Sequence, residues 1–425
     1  MALIKKPVTG MKDILPREMR IRDYLIALIK ETYSSFGFTP IETPAVENIA
    51  NLSSKQGGEN EKLIFKILKR GDKLDIAAAA ESGDANELVD GGLRYDLTVP
   101  LVRFYSNNQA NLPVPFKALQ IGSVWRADRP QKGRFRQFYQ CDIDILGEPG
   151  NIAEIELILA TTTTLSKIGF KDFKIHINER RMLKAMAAYS GFAEEDYDNV
   201  FIILDKMDKI GIDGVKSELA EAGYATDVID KYTDLLTNIS GKASLEAIEY
   251  LGNTLGSFLE EGTADSLREI IETVDEVKTG TFEMLFDPTL VRGMSYYTGT
   301  IFEIEVPEFG SSVGGGGRYD KMVGRFTGQD TPACGFSIGF ERIVTILLDN
   351  DYVIPDESEK IAFLVEKGIT GRKLSDIISK ATMLRSEGKQ ILMVRMNKNK
   401  KFQKEQLASQ GYDNFEEFYL EELKK

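Results

Sequence analysis

The sequence contains almost no cysteine or histidine. Among 425 residues there are two cysteines, Cys141 and Cys334, and one histidine, His176. Two cysteines exclude a disulfide framework and a zinc site, and a single histidine excludes histidine-based metal clusters. We therefore expect no metal site built by protein side chains alone. Both cysteines are expected in the core, where cysteine is most often found.

Long apolar runs are also missing. The N-terminal Met-Ala-Leu-Ile-Lys-Lys-Pro has no apolar stretch long enough for a signal peptide, and no later segment approaches the ~18 apolar residues of a membrane span. These absences predict a cytoplasmic protein without a membrane partner. The net charge of −13 argues against nonspecific binding to nucleic acid, although a local basic patch on an acidic protein can still dock RNA.

Chain length and hydrophobic patterning predict the domain organisation. A chain of 425 residues, 42% of them hydrophobic, is expected to form two or three domains with large cores. Strand patterns occur within residues 1–178 and return within 280–348, whereas 179–279 have helical periodicity and indicate an inserted helical module. A polar linker at 349–358 precedes a β-α-β-α-β pattern at 359–425, which predicts a small α/β domain.

A basic hairpin is predicted by the stretch Arg126-Ala-Asp-Arg-Pro-Gln-Lys-Gly-Arg-Phe-Arg-Gln-Phe-Tyr-Gln140. Pro130 and Gly133 mark its loop, and strand-forming residues lie on both sides. Because side chains alternate along a strand, the second strand has one face equipped with polar side chains and one apolar face. The first face carries Phe138, Gln140, Asp142 and Asp144. The apolar face carries Tyr139, Cys141, Ile143 and Ile145. This stretch alone leaves open an anion-binding hairpin and an ordinary solvent-facing strand.

Three further patterns bear on the fold. A helix is predicted after Pro16, ending at Gly37. Alternation in Leu93-Arg-Tyr-Asp-Leu-Thr-Val-Pro100 predicts a second strand with one polar face. The four glycines in Val313-Gly-Gly-Gly-Gly-Arg-Tyr-Asp320 allow a close backbone approach to a ligand or a neighbouring strand, and on their own they indicate a turn. They match neither a Walker nor a Rossmann pattern.

Taken together, three segments resemble, in order, the signature motifs of class II aminoacyl-tRNA synthetases. They are the helix and strand ending at Pro44, the hairpin described above, and Gly339-Phe-Glu-Arg342. Within that class, Leu290-Val-Arg-Gly-Met-Ser-Tyr-Tyr297 and Gly316-Gly-Arg-Tyr-Asp320 resemble two peptides peculiar to histidyl-tRNA synthetases. The resemblance extends to about residue 345, apart from the helical module. It implies an α+β catalytic domain, formed by 1–178 and 280–348, with an antiparallel sheet flanked by helices.

The same resemblance implies the reaction and its residues. It implies ATP-dependent activation of histidine, with Mg²⁺ carried by ATP, and transfer to tRNA(His) by a homodimer. Joining a carboxylate to a phosphate brings two anions together, for which arginines are suited. The implied catalytic residues are Arg126 and Arg292, with ATP bound by Arg126, Asp128, Phe138 and Arg342. The implied histidine ligands are Asp96, Thr98, Gln140, Asp144, Tyr297 and Tyr319, and the implied contacts to the tRNA acceptor end are Lys132, Arg134 and Arg136.

Two features of the chain, one residue and one domain, depart from the family pattern. Ser295 stands where the family usually has an acidic residue, and the anticodon-binding-like domain at 359–425 is shorter than the family's. Catalytically inactive relatives act as regulatory subunits of ATP phosphoribosyltransferase, and they usually lack the catalytic arginines and a C-terminal domain. This chain keeps Arg126, Arg292 and Arg342, which favours the enzyme. The regulatory subunit, and a ligase with another acceptor or substrate, remain the alternatives.

Overall fold

The computed structural model describes residues 3–53, 62–130, 134–291, 296–307, 311–355 and 358–421. Its contacts divide the chain into two compact units. One comprises Met1–Lys12 and Ile26–Ile346, and the other comprises Asp13–Leu25 and Leu347–Lys425. Within the described ranges, no helix is both long and apolar enough to cross a bilayer.

The first unit is built on an eight-stranded sheet with the order β1-β5-β6-β11-β10-β9-β7-β8 and on a small sheet with the order β2-β4-β3. In chain order the strands are β1 (Thr39–Pro40), β2 (Val46–Asn48), β3 (Lys66–Leu68), β4 (Val89–Leu93), β5 (Phe116–Trp125), β6 (Gln137–Leu146), β7 (Phe173–Glu179), β8 (Phe282–Phe286), β9 (Thr300–Val306), β10 (Ser311–Arg318) and β11 (Ala333–Ile338). The large sheet is antiparallel except at its two ends, where β1 pairs with β5 and β7 with β8 in parallel. The predicted sheet flanked by helices is therefore confirmed.

The helices before residue 350 fall into those outside the stretch between β7 and β8 and those within it, which form the helical module. Outside the module they are Pro16–Ser35, Ile49–Leu52, Ile76–Ser82, Thr98–Asn108, Ile152–Ile168, Lys321–Thr327 and Phe340–Asp349. In the module they are Arg180–Ser190, Tyr197–Leu204, Met207–Glu221, Thr226–Ile239, Ser244–Leu255 and Thr263–Val277. The helix Met207–Glu221 is interrupted at Gly211, whose φ of 67° suits glycine. Apolar residues at helical spacing, such as Leu267, Ile270 and Val274, are buried in the module.

The predicted hairpin is formed by β5 and β6, which pair from Phe116 opposite Leu146 to Trp125 opposite Gln137. Strand β6 keeps the predicted alternation. Cys141, Ile143 and Ile145 are no more than 2% exposed, whereas the face that carries Asp142 and Asp144 lines a cavity. Both cysteines of the chain are buried, as expected.

The predicted strand at 93–100 is wrong. Strand β4 ends at Leu93, and a helix begins at Thr98. Pro100 has no N–H to give to a sheet, and it fits the first turn of a helix, where that N–H has no partner anyway. The Asp96 carboxylate accepts the Val99 N–H at 3.0 Å and satisfies another of the first-turn donors. Local capping therefore overrides the alternating pattern.

The four glycines form part of a strand rather than a turn. Strand β10 pairs with β11 on one side and with β9 on the other. A Cβ atom at Gly316 would overlap the Gly335 carbonyl of β11, so the backbones approach more closely than a side chain permits. The sequence leaves open whether the glycines allow a close backbone approach to a ligand or to a neighbouring strand, and at Gly316 the approach is to a neighbouring strand.

Strand β10 is fastened to the helix Ile152–Ile168 by a buried ion pair. Arg318 donates from Nε and Nη2 to the two oxygens of Glu154, each at 2.7 Å. Arg318 is 8% exposed and Glu154 1% exposed. Arg318 lies opposite Cys334, on the sheet face away from Asp144, so the pair holds the helix against the back of the sheet.

The second unit contains a parallel sheet with the order β13-β12-β14. Its strands are β12 (Lys360–Val365), β13 (Gln390–Arg395) and β14 (Asn414–Phe418), and its helices after β12 are Gly371–Ser386 and Lys400–Ala408. Gly388, with φ of 85°, follows the first of these helices. The β-α-β-α-β order predicted for this part of the chain is the one observed.

Arg318→Met should lower the free energy of unfolding by about 3–5 kcal/mol, because it leaves the Glu154 carboxylate buried without its cation. Chemical denaturation followed by circular dichroism measures this change. Lys216→Met is the control, since the Lys216–Asp230 pair is exposed on both sides and exposed pairs contribute little. Equal midpoints for Arg318→Met and the wild type would contradict the proposed fastening role.

Candidate active site

A cavity of about 1150 Å³ lies on the front face of the large sheet. Antiparallel neighbours that oppose each other share a face, and the strand registers place one row of residues across six strands on this face. In the order β5, β6, β11, β10, β9 and β7, the row is Gln120, Asp142, Ser337, Gly315, Glu303 and His176. Gly315 adds no side chain to the row. The polar residues of β6 and β11 are therefore separated from those of β9 and β7 by a position without a side chain.

Two carboxylates from β6 lie buried at one end of the cavity. Asp142 is 4% exposed and Asp144 is 3% exposed. Tyr319 donates its hydroxyl to Asp144 Oδ1 at 2.5 Å. Gln140 donates from Nε2 to Ser337 Oγ at 3.3 Å. A Cβ atom at Gly335 would overlap Asp144 Oδ1, so β11 also needs a glycine beside the carboxylate.

A third carboxylate, Asp96, comes from the segment before the helix Thr98–Asn108 and is 1% exposed. Burial raises the pKa of Asp96 to about 6, although hydrogen bonds from the Val99 and Thr98 backbone and the charge of Arg126 oppose this shift. Burial likewise raises the pKa of Asp144 to about 7 against the hydrogen bond from Tyr319. Burial and the Asp144 charge raise the pKa of Asp142 well above its ordinary value.

The cavity wall contains four buried acceptors that no donor among the described residues satisfies. They are Asp96 Oδ2, Gln140 Oε1, Asp142 Oδ1 and Asp144 Oδ2. A buried polar atom without a partner is unfavourable, and carboxylates attract cations. The arrangement therefore fits a ligand that carries several N–H donors and a positive charge.

Cationic and aromatic side chains line another part of the same cavity. Arg126 donates from Nε to the Tyr95 carbonyl at 2.8 Å, and its guanidinium lies 5.2 Å from the Phe138 ring centre. Arg342, at the start of the helix Phe340–Asp349, donates to the Ser312 carbonyl. Asp128 lines the cavity as well. Arginines next to an aromatic face suit an anionic ligand with a flat ring.

Most of the predicted site residues line this one cavity. Those that do are Asp96, Thr98, Arg126, Asp128, Arg134, Phe138, Gln140, Asp144, Tyr297, Tyr319 and Arg342. Arg136 is not among them, because its guanidinium donates to the Asp128 and Thr9 carbonyls at 3.1 and 3.4 Å. Arg292, Ser295 and Lys132 lie outside the described residues.

Sequence reasoning missed several cavity residues. Tyr95 and Tyr296 line the cavity, and the Tyr296 ring lies 4.7 Å from Tyr297 and 6.0 Å from Tyr319. The sequence puts Asp142 on the polar face of β6 but assigns it no role, and the signal for one is that it shares this face with Gln140. Ser337 gave no signal, since it reaches the site through strand pairing alone.

Three comparisons with known proteins agree. A family model described as "Histidyl-tRNA synthetase" matches residues 10–343. The chain is 43% identical over 414 residues to the protein named "Histidine--tRNA ligase" of Leifsonia xyli subsp. xyli, covering 96% of this chain and 94% of that one. The crystal structure of histidyl-tRNA synthetase from Nostoc sp. PCC 7120 is 26% identical with a TM-score of 0.78, covering 97% of this chain and 90% of that one.

A fourth similarity shows the fold alone. The structure titled "ATP phosphoribosyltransferase regulatory subunit/histidyl-tRNA synthetase", from Bacillus halodurans C, has a TM-score of 0.75 at 19% identity. It covers 98% of this chain and 99% of that one. Its title contains both the enzyme and the regulatory subunit, so this similarity does not separate them.

Asp144→Asn should stabilise the protein at about pH 8 and change little at about pH 4. The folded-state pKa of about 7 exceeds the ordinary 3.8, so wild-type stability falls as the pH rises between these values. The substitution removes that loss, on the order of a few kcal/mol. Denaturation midpoints at the two pH values, with Asp230→Asn as an exposed control, measure the effect. A pH-independent difference between mutant and wild type would rule out this titration.

Proposed function

Because the chain belongs to the histidyl-tRNA synthetase family, we propose that it activates histidine with ATP to histidyl-adenylate and transfers the histidyl group to tRNA(His). The set of four buried acceptors carries this proposal. Histidine supplies an α-ammonium group with three donors and an imidazole with at least one. Binding of this substrate would satisfy the acceptors and place its positive charge beside the carboxylates.

The acceptors divide between the two ends of the substrate. We assign the α-ammonium group to Asp96, Thr98 and Gln140, and the imidazole to Asp144 with Tyr297 and Tyr319. The hydrogen bond from Tyr319 to Asp144 Oδ1 leaves Oδ2 for a ring N–H. An analogue without that N–H would leave a buried carboxylate unpaired, which is a strong basis for discrimination. Asp142 adds a second acidic group to this end of the cavity.

The arginines supply the other half of the proposed reaction. ATP is a family substrate, and the guanidiniums of Arg126 and Arg342, the Phe138 ring and Asp128 form a wall suited to its phosphates and adenine. Mg²⁺ would arrive with ATP. Arg292 completes the assignment by resemblance. A guanidinium keeps its charge when partly buried and can bind two phosphate oxygens, so it can stabilise charge that develops at phosphorus.

The proposed chemistry needs no general base in its first step. The ionised histidine carboxylate attacks the α-phosphorus, the bond to pyrophosphate breaks, and pyrophosphate leaves with the electron pair. In the second step a ribose hydroxyl of the tRNA attacks the activated carbonyl and gives its proton to water, the bond from the carbonyl carbon to the phosphate oxygen breaks, and AMP leaves with the electron pair. The protein's part is to align two anions and to neutralise their repulsion, which is the contribution that Arg126 and its partners are placed to make.

The domain organisation and the oligomeric state are part of the same proposal. We propose that residues 1–178 and 280–348 form the catalytic domain, 179–279 an insertion, 349–358 a linker and 359–425 an anticodon-binding-like domain. We further propose a cytoplasmic homodimer that contacts the tRNA acceptor end through the hairpin loop. Arg134 is exposed and available for a phosphate, whereas Arg136 supports the loop through the Asp128 carbonyl.

A regulatory subunit of ATP phosphoribosyltransferase is the second candidate. It would need the histidine pocket but no means of binding ATP phosphates. The presence of Arg126 beside Phe138 and of Arg342 on the same cavity favours the synthetase. Histidine-dependent exchange of pyrophosphate into ATP separates the two, because only the synthetase forms the adenylate.

The wild type should catalyse this exchange, and Arg126→Ala should reduce kcat/KM by about a thousandfold, because it removes a group that stabilises the transferring phosphorus. Arg134→Ala, from the same hairpin, is the matched control and should keep the exchange rate while weakening charging of tRNA(His). Absence of histidine-dependent exchange in the folded wild type would refute the proposed function. Exchange without tRNA charging would point to another acceptor.

Asp144→Ala should raise the KM for histidine by about a hundredfold and change the KM for ATP by less than about threefold, because the imidazole loses its buried acceptor while the ATP wall is untouched. Initial rates of exchange with each substrate varied in turn provide both constants. Phe138→Ala gives the complementary control, with the larger effect expected on ATP. Equal increases in both constants for Asp144→Ala would exclude its specificity role.

A further inference from the structure

His176 lies at the far end of the polar row that begins with Gln120 and Asp142. It projects from β7 on the front face of the sheet and lines the same cavity. The proposed reaction assigns it no role. Its ring nitrogens nevertheless have two acidic partners from different parts of the chain: Asp287 Oδ2 lies 3.1 Å from Nδ1, and Glu305 Oε2 lies 2.9 Å from Nε2.

This geometry favours a charged ring. A neutral imidazole has one N–H and one bare nitrogen, and the bare nitrogen would face a carboxylate oxygen that cannot donate. With a proton on each nitrogen, both contacts become charge-assisted hydrogen bonds. In agreement, the hydrogen bond to Asp287 raises the pKa of His176 to about 9, against the opposing effect of burial and with added support from Glu305.

Asp287 also organises the turn that follows β8. Its other oxygen, Oδ1, accepts the Thr289 N–H at 2.9 Å and the Thr289 hydroxyl at 2.7 Å. The Leu290 N–H donates to the Asp287 carbonyl at 3.1 Å. The same carboxylate therefore closes the turn with one oxygen and binds the imidazole with the other.

Three consecutive residues of β7 hold this turn. His176 binds the Asp287 carboxylate, the Ile177 carbonyl accepts the Asp287 N–H at 2.9 Å, and Asn178 donates to the Leu290 carbonyl at 3.1 Å. The side-chain exposures of His176 and Asp287 are 24% and 22%, so solvent screens this contact only partly. The turn is thus fixed to the sheet at the point where the chain leaves it.

The chain that leaves this turn supplies the tyrosines of the proposed histidine pocket a few residues later. Tyr296 and Tyr297 line the cavity, and just beyond them Thr298 donates its N–H to the Arg318 carbonyl at 2.7 Å. Along the chain, the tyrosines therefore lie between two anchored segments, residues 287–290 and Thr298. Resting on the proposed function, we propose that His176, clasped by Asp287 and Glu305, is a positioning residue that fixes the first anchored segment and thereby the tyrosine side of the histidine pocket.

Other charged groups surround His176. On its own strand, on the neighbouring strand and turn, and in the helical module, they include Lys174 from β7, Glu303 and Glu305 from β9, Asp287 from the turn, and Asp205, Asp208 and Lys209 from the module. The acidic members outnumber the basic ones, which also favours the protonated ring. Because the folded pKa lies above the ordinary value of 6.5, the stabilisation that the protonated ring contributes is fully present below about pH 6.5, and the two contacts lose their charge as the pH rises through about 9.

The experiment uses the untagged full-length protein and two readouts. The first is the histidine KM in the exchange assay, which should rise by about tenfold or more in His176→Gln at pH 7.5, with the KM for ATP little changed, because the positive charge that strengthens both contacts of the ring is removed. The wild-type KM should approach that of the variant as the pH rises through 9. Titration of the substrate's own amino group affects both proteins alike, so the mutant-to-wild-type ratio isolates His176.

The second readout is NMR of the imidazole, which is unambiguous because the chain has a single histidine. Its pKa should lie near 9 in the wild type. Asp287→Asn should lower that pKa and raise the histidine KM, while its Oδ1 can still close the turn. Glu305→Gln should do both to a smaller extent, because the Glu305 side chain is 44% exposed. Glu246→Gln, which removes an exposed pair in the helical module, should change neither.

The outcomes separate this inference from the proposed function. A wild-type imidazole pKa near 6.5, or a mutant-to-wild-type KM ratio that stays constant from pH 7 to 10 in folded variants, would overturn the positioning role while leaving the synthetase intact. Absence of exchange in the wild type would instead refute the synthetase, and a histidine affinity measured by calorimetry that is equal in wild type and His176→Gln would then refute the positioning role as well.

Discussion

The front face of the large sheet depends on one constraint, which is that consecutive glycines of strand β10 form the middle of the cavity floor. Gly315 lies between Ser337 and Glu303 in the row across the sheet, and neighbouring backbones approach too closely at Gly316 for any Cβ. The Arg318–Glu154 pair fastens the same strand from behind. The polar groups on either side can line one cavity because the strand between them has glycines on the cavity side and is held by the ion pair on the opposite side.

The buried carboxylates explain why such a site is costly to build and useful to keep. Asp96, Asp142 and Asp144 all have pKa values raised chiefly by burial, so the protein pays in stability for their ionisation at neutral pH. A cationic ligand with several N–H donors recovers that free energy on binding. The pocket and the arginine wall are thus opposite in charge within one cavity, which matches the proposed joining of an ammonium-bearing acid to a phosphate.

Some of this could be predicted from the sequence and some could not, for physical reasons. The two faces of β6 were predictable because Cys141 and Ile143 alternate with polar residues over a full strand. The supposed strand at 93–100 alternates as well, but Pro100 and the capping carboxylate of Asp96 favour a helix. Nothing in the local pattern around Arg136 shows that its guanidinium donates to the Asp128 and Thr9 carbonyls. The partners of His176 lie 111 and 129 residues away, beyond the reach of any local pattern.

The single histidine has a further consequence, in the supply of the amino acid itself. Each copy of this chain incorporates histidine once in 425 residues, and that one ring is engaged between two carboxylates. If the chain supplies histidyl-tRNA, its own synthesis draws on that product a single time per molecule. Production of this chain therefore makes a small demand on that amino acid, one residue per copy, and that residue lies between β7, β9 and the turn after β8.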